Sequence, residues 1–415
     1  MTKFTKKEKS WITYDWANSA YTLIIITTIL PLFYKAMAEQ AGIAASRSTA
    51  YWGYANSFAT FLVAIMAPIL GTIADYKDIK KKFFVTALTI GVAFTGVLAF
   101  VPNGNWIILL GVYILTMFGY AGANVFYDAF LVDVASEEKM DQVSSYGYAW
   151  GYIGSTIPFV VIAGMIFKHE MLGISEILAM RIGFFLTAIW WGVFSLPMIK
   201  NVKQRYYIDR EPHVLRKSLR RLGTTLSNIR QHKVIFSFLI AYFFYIDGVG
   251  TIIKMAVVYG ADVGLSATTL IVVLLAVQVV AFPFAILYGH LAKRFGTRTM
   301  IQFAIIVYIF TCFYAYQLDT ELEYWVLGML VASSQGGIQA LSRSYYGKLI
   351  PKEKSNEFYG FYNIFGKFAA VMGPLLVGFV SDLTGRSQNG IFSIVALFII
   401  GYVLLLRVPK TSEIL

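Results

Sequence analysis

The chain has 415 residues, of which 58% are hydrophobic and only 14% charged, and its mean hydropathy is +0.64. Soluble domains carry about 25% charged residues, so this chain cannot clothe a water-facing surface of its size, and lipid must be its solvent. The formal net charge of +12 does not signal nucleic acid, because the basic residues fall between apolar runs, where the positive-inside rule accounts for them.

A helix needs about 20 apolar residues to cross a hydrocarbon core ~30 Å thick. The first ten residues carry Lys3, Lys6, Lys7 and Lys9. The run after them is too long for a signal-peptide core and lacks a small-residue cleavage site, so it reads as an uncleaved first span. The expected spans are 11–36, 50–74, 83–101, 105–133, 144–168, 178–199, 234–259, 266–292, 298–318, 322–349, 355–380 and 389–408. Alternating strands of about ten residues, which a membrane β-barrel needs, are absent. The fold class expected is therefore an all-α polytopic membrane protein of twelve transmembrane helices.

Twelve spans put both termini on one side. Of the 35 Lys and Arg residues, twenty-seven lie on the face that carries the termini and five on the other. Three more, Lys254, Arg343 and Lys367, fall inside spans. That bias places both termini in the cytoplasm, and the short loops opposite favour a bacterial plasma membrane over an organelle. The longest polar segment, 200–233, holds ten basic residues, including Arg216, Lys217, Arg220 and Arg221. It reads as a basic amphipathic helix on anionic headgroups, with a regulatory binding site as the alternative. It divides the chain into bundles 1–199 and 234–415, joined by the 200–233 linker.

The halves repeat. Span two ends in Gly71-Thr-Ile-Ala-Asp75, followed by Lys77 and by Lys80 to Lys82. Span eight ends in Gly289-His-Leu-Ala-Lys293-Arg294-Phe-Gly296, followed by Arg298. Span five opens with Tyr146-Gly-Tyr148 and span eleven with Tyr359-Gly-Phe361. Span four carries Asn124 and Asp128, and span ten Gln339 and Arg343, at the same spacing. Homologous six-helix halves mark an alternating-access carrier with substrate at the midplane between them.

The glycine, the carboxylate four residues on and the basic cluster after span two resemble the signature loop of the major facilitator superfamily. Gly71 and Asp75 match it, while Asp78 and Ile79 stand where its second glycine and its arginine would be. The second copy keeps Gly289 and Gly296 but has Lys293 in place of the carboxylate. Gly71, Asp75, Lys80, Gly289 and Arg298 are therefore expected to serve the gate. Three longer stretches narrow the resemblance: 14–21 (Tyr-Asp-Trp-Ala-Asn-Ser-Ala-Tyr), 126–133 leading to 146–154, and 336–344 followed by Leu349-Ile-Pro351 and 357–362. Together these look like the vacuole-effluxer-like branch of the superfamily, over nearly the whole chain. That branch includes the fungal autophagy-related vacuolar amino-acid exporter and bacterial proteins of unknown substrate. The resemblance implies two pseudo-symmetric six-helix bundles and, from distant relatives, amino-acid transport. The chain departs from the branch at Asp128 and Val132, where an asparagine and Ala-Leu-Leu-Pro are expected.

Ionisable groups in spans cost about 2.5–3.5 kcal/mol each on insertion scales, so each needs a partner or a function. Asp15, near the start of span one with Asn18 and Tyr21, reads as a gate or proton site, or as a carboxylate at a helix N-terminus favoured by the dipole. Asp247 and Lys254 lie seven residues apart on nearly one face of span seven. They are expected to hold the two ends of a zwitterion, or to form an ion pair that lets the helix insert. Gln335, Gln339 and Arg343 form a polar stripe on span ten, matched by Asn124 and Asp128 on span four. Arg343 is suited to bidentate carboxylate binding, and its repeat relation to Asp128 raises the expectation of a bridge between them. Lys367, one turn after Asn363, reads as a substrate-carboxylate partner or as a counter-ion for Asp247. Tyr146, Tyr148, Trp150, Tyr359, Tyr362 and Phe365 could wall a cavity and offer cation–π contacts to an ammonium group.

One cysteine, Cys312, and four histidines without ligand spacing argue against disulfides, zinc and any cofactor. No phosphate-binding loop is present, and no paired catalytic carboxylates or nucleophile–base motif suggest an enzyme. The expectation is a monomeric secondary transporter of small zwitterionic solutes, amino acids first, coupled to protons with sodium as the alternative. A carrier of lipids or drug-like amphiphiles, and a non-transporting receptor or scaffold, are the competing readings.

Overall fold

The structure, a computed structural model, describes residues 4–210, 213–227 and 232–409. Lys3, Arg230 and Lys410 of the charge count lie outside the described residues. Twelve long helices follow in chain order among the described residues. They are α1 Lys6–Gln40, α2 Ala45–Ala74, α3 Lys80–Phe100, α4 Trp106–Val134, α5 Glu137–Phe167 and α6 Glu176–Asn201. After the linker come α7 Lys233–Asp262, α8 Ala267–Phe295, α9 Thr297–Tyr316, α10 Glu321–Leu349, α11 Ser355–Thr384 and α12 Ser387–Leu405. Eleven of them are long and apolar enough to cross a membrane. The exception is α10, whose 29 residues include Gln335, Gln339 and Arg343.

The helix starts follow local sequence. Thr5 and Glu8 form a capping box at α1, and Thr320 and Glu323 form another at α10. Ser175 and Ser266 cap α6 and α8 through their hydroxyls. The expected spans are mostly extended at their ends, α5 by two turns, because its acidic start at Glu137 and Glu138 suits a helix N-terminus. Within α1, Thr22–Thr28 is a π-helical stretch. The Thr27 and Thr28 hydroxyls donate to the carbonyls of Thr22 and Leu23, five residues back, which stabilises the widened turn. Such turns recur at functional sites.

Two compact units make up the chain. The first contains Met1–Val134, Trp150–Leu219 and Glu353–Gly360; the second contains Ala135–Ala149, Arg220–Lys352 and Phe361–Leu415. Each is built on the same packing plan. In the first, α1 packs on α6, α2 on α4, and α3 on both α4 and α6. In the second, α7 packs on α12, α8 on α10, and α9 on both α10 and α12. Adding six to each helix number turns one set into the other, so the weak repeat in the sequence is a repeat of helix packing.

The linker contains a basic amphipathic helix, as expected, preceded by an extended stretch. Its first part is held extended against the α2–α3 turn by a parallel bridge between Tyr76 and Ile208, with Lys77 N–H donating to the Ile208 carbonyl at 3.0 Å and Ile208 N–H to that of Asp75 at 2.9 Å. Val214–Ser227 is helical, with Leu215 and Leu219 exposed beside Arg216 and Arg220.

Candidate functional site

In the first unit the expected residues of α1 and α4 meet. Asn18 donates its Nδ2 to Asn124 Oδ1 at 2.8 Å. One turn on, at the start of the π-helical stretch, the Thr22 and Tyr120 hydroxyls share a hydrogen bond of 2.6 Å. Tyr21 is fully buried, stacked on Tyr120 at 4.5 Å between centroids and tilted against Trp191 at 5.2 Å. Asp15 is buried one turn before Asn18, and Asp128 is half-buried one turn after Asn124. The result is a ladder of carboxylate, amide and hydroxyl groups along the α1–α4 seam. The glycines of α5 allow its close approach to α1: a Cβ at Gly154 would overlap the Trp16 backbone, and one at Gly151 the Ser19 hydroxyl.

In the second unit Asp247 is fully buried on α7 and accepts the Gly373 N–H of α11 at 2.9 Å. Gln335 is buried, and its carbonyl accepts the Gln339 side chain at 2.9 Å, so that amide serves its own helix. Arg343 is buried, donates to the Ser144 hydroxyl at 3.0 Å and carbonyl at 3.1 Å, and places its guanidinium 4.5 Å from the centre of the Tyr148 ring. The ring expected to receive a substrate ammonium thus receives a protein cation. Asn363 and Lys367 are half-buried on α11. A cavity of about 90 Å³ opens within this unit, lined by aliphatic side chains with Gln278, Thr311, Tyr259, Tyr324 and Gln335.

The two signature segments have a clear steric basis. A Cβ at Gly71 would overlap the Asn356 carbonyl, and one at Gly289 would crowd the Ser145 side chain. Asp75 is fully buried and caps the start of α11: its Oδ1 accepts Asn356 N–H at 2.9 Å and Asn356 Nδ2 at 3.0 Å, and its Oδ2 accepts Glu357 N–H at 3.4 Å. Asp78, which replaces the family's glycine, has φ +63°, and Gly296 in the second copy has φ +87°. Aspartate is one of the few side chains that tolerate the left-handed region. The departure in sequence therefore preserves the backbone turn. Arg298 is half-buried and donates to the Leu406 carbonyl at 3.0 Å.

Sequence reasoning missed two polar clusters near these segments. Lys80 and Asp133, both fully buried, pair at 2.7 Å, with the Ser355 hydroxyl 2.9 Å from the ammonium. In the second unit Asp141 binds Lys348 at 2.6 Å, Thr297 at 2.7 Å and Ser344 at 2.6 Å. Each cluster joins one cation, one carboxylate and hydroxyl groups, drawn from α3, α4 and α11 in one unit and from α9, α10 and α5 in the other. The equivalent helices supply different members, so pairwise comparison of the repeats does not reveal them.

Comparison with known proteins completes the picture. Residues 4–413 match the family described as "Vacuole effluxer Atg22 like". The chain is 53% identical, over its full length and 97% of the relative, to the "Uncharacterized MFS-type transporter YxiO" of Bacillus subtilis. It is 25% identical over 284 residues to "Autophagy-related protein 22-1" of Penicillium rubens, covering 62% of this chain and 47% of that one. In three dimensions it resembles the major facilitator superfamily transporter FucP, with a TM-score of 0.75, 14% identity and coverage of 97% and 98%. The proton:xylose symporter XylE gives a TM-score of 0.73 at 11% identity, covering 98% of this chain and 96% of that one. The chain therefore belongs to the vacuole effluxer Atg22-like family and is a multi-pass membrane transporter of the major facilitator type.

Proposed function

We propose that the protein is a secondary transporter of small zwitterionic solutes, amino acids first, working by alternating access and coupled to protons. The observation that carries this reading is that groups of both signs sit buried or half-buried on the spans of a vacuole-effluxer relative. The first unit offers Asp15 and Asp128 beside the amides of Asn18 and Asn124, and the second offers Asp247, Gln335, Arg343 and Lys367. A zwitterion presents one charge of each sign, and a span that keeps such groups bears a cost of about 2.5–3.5 kcal/mol for each. The three carboxylates favour protons over sodium as the coupling ion. Both termini are assigned to the cytoplasm on the distribution of basic residues, and the Bacillus relative favours a bacterial plasma membrane. A monomer is sufficient for this mechanism.

A second reading, a carrier of amphiphiles, is favoured by the mainly aliphatic cavity of the second unit. Thermal stabilisation of the detergent-purified protein separates the two. A ligand that binds only the folded state raises stability by about 2.7 kcal/mol at one hundred times its Kd. Stabilisation by amino acids that vanishes in Arg343→Ala supports the zwitterion carrier. Stabilisation by lysolipids with none by any polar solute supports the amphiphile carrier instead.

A further inference from the structure

Asp247 has no exposed surface. Its Oδ1 accepts the Gly373 N–H at 2.9 Å and the hydroxyl of Thr251, one turn along α7, at 3.5 Å. Among the described residues its Oδ2 meets no hydrogen-bond donor. An ionised carboxylate has about four acceptor sites to satisfy, and burying it with a single short bond is costly. Lys254 lies seven residues further along α7, about two turns away on nearly the same helix face. On the other elements near it, α11 presents Gly373, with Lys367 six residues earlier, Phe398 of α12 lies against the adjacent Gly248, and Tyr245 of α7 is bonded to Ser342 of α10.

The approach of α11 to this carboxylate is also specific. A Cβ at Gly373 would overlap the Thr251 hydroxyl and crowd Asp247 Oδ1. Gly373 is followed by Pro374, which has no N–H and interrupts the helical ladder. A backbone donor at the break in α11 is thus aimed at Asp247.

We infer that Asp247, with Thr251, is the binding site for the transporter's coupling cation. The cation sits on Oδ2, either as a proton bonded to that oxygen or as a monovalent metal ion shared with the Thr251 hydroxyl. When it leaves, the carboxylate turns to the Lys254 ammonium. Because Oδ1 holds the Gly373 N–H, the exchange acts on α11 at its proline break. The inference rests on the coupled-transport reading for the use of the cation, and its test needs no substrate.

The test is infrared spectroscopy of the purified protein through a pH titration, with thermal stability compared in sodium and choline salts. A carboxylic-acid carbonyl band that titrates, shifts in heavy water and is missing from Asp247→Asn identifies a proton. A sodium-specific rise in melting temperature that is lost in Asp247→Asn and Thr251→Val identifies sodium, and either result supports the site. Superimposable spectra of wild type and Asp247→Asn at every pH, with no sodium effect, overturn it. Should Asp247→Asn fail to fold, Lys254→Gln decides. Removing the competing ammonium should tighten the cation, moving the titration to higher pH or increasing the sodium stabilisation, and no change in either overturns the proposal. A site confirmed in a protein that moves no amino acid would refute the substrate reading alone.

Discussion

Replacing Lys80 by methionine should destabilise the first unit without touching its apolar core. Lys80 Nζ lies 2.7 Å from Asp133 Oδ2, 2.9 Å from the Ser355 hydroxyl and 3.3 Å from the Ala129 carbonyl. Asp133 Oδ1 accepts the linker N–H groups of Arg205 at 2.6 Å and Tyr206 at 2.9 Å. Removing one partner of a buried pair costs about 3–5 kcal/mol. The two linker donors remain, so the lower end applies. At roughly 2–4 °C per kcal/mol for a unit of this size, the melting temperature should fall by roughly 6–12 °C. Seven of the eight tryptophans lie in the first unit, so intrinsic fluorescence follows its unfolding. The single thiol, buried Cys312, follows the second through a thiol-reactive dye. The fluorescence transition should move more than the thiol transition, and adding Asp133→Asn should recover part of the loss. Wild-type melting of Lys80→Met, or a double variant that falls by the sum of the singles, would refute the reasoning.

Asp141→Ala should lower the Cys312-reported transition instead, by about 3 kcal/mol, because it strands Lys348. Asp78→Gly should melt within about 0.5 kcal/mol of wild type, while Asp78→Val should lose about 1–2 kcal/mol in the same scan, since φ is +63° there. Asn18→Ala should cost about 1–3 kcal/mol by tryptophan fluorescence, because Asn124 Oδ1 loses the Asn18 amide that donates to it.

The fold was legible because each span announces itself in composition and because paired motifs exposed the repeat. Gly71 and Gly289 were legible as paired members of the signature segments, and the backbone and side chain that crowd them show why each must be small. The polar seam of Asn18 and Asn124 was legible as stripes, but its partners were not, since spacing gives a face and not the neighbouring helix. Asp133 and Asp141 were missed because acidic residues near span ends look like ordinary surface groups. Their burial follows from where the linker and the α5 start dock, which no local pattern encodes. Tyr148 shows the same limit: its type suggested an ammonium, and the fold supplied Arg343.

The most direct test of the central claim is uptake of a labelled amino-acid pool into proteoliposomes under an imposed pH gradient. The account predicts accumulation of at least one amino acid that collapses when the gradient is dissipated and is absent in Arg343→Ala. No amino-acid movement under a gradient of either direction, in vesicles where the same protein moves a fluorescent lysolipid, would contradict it.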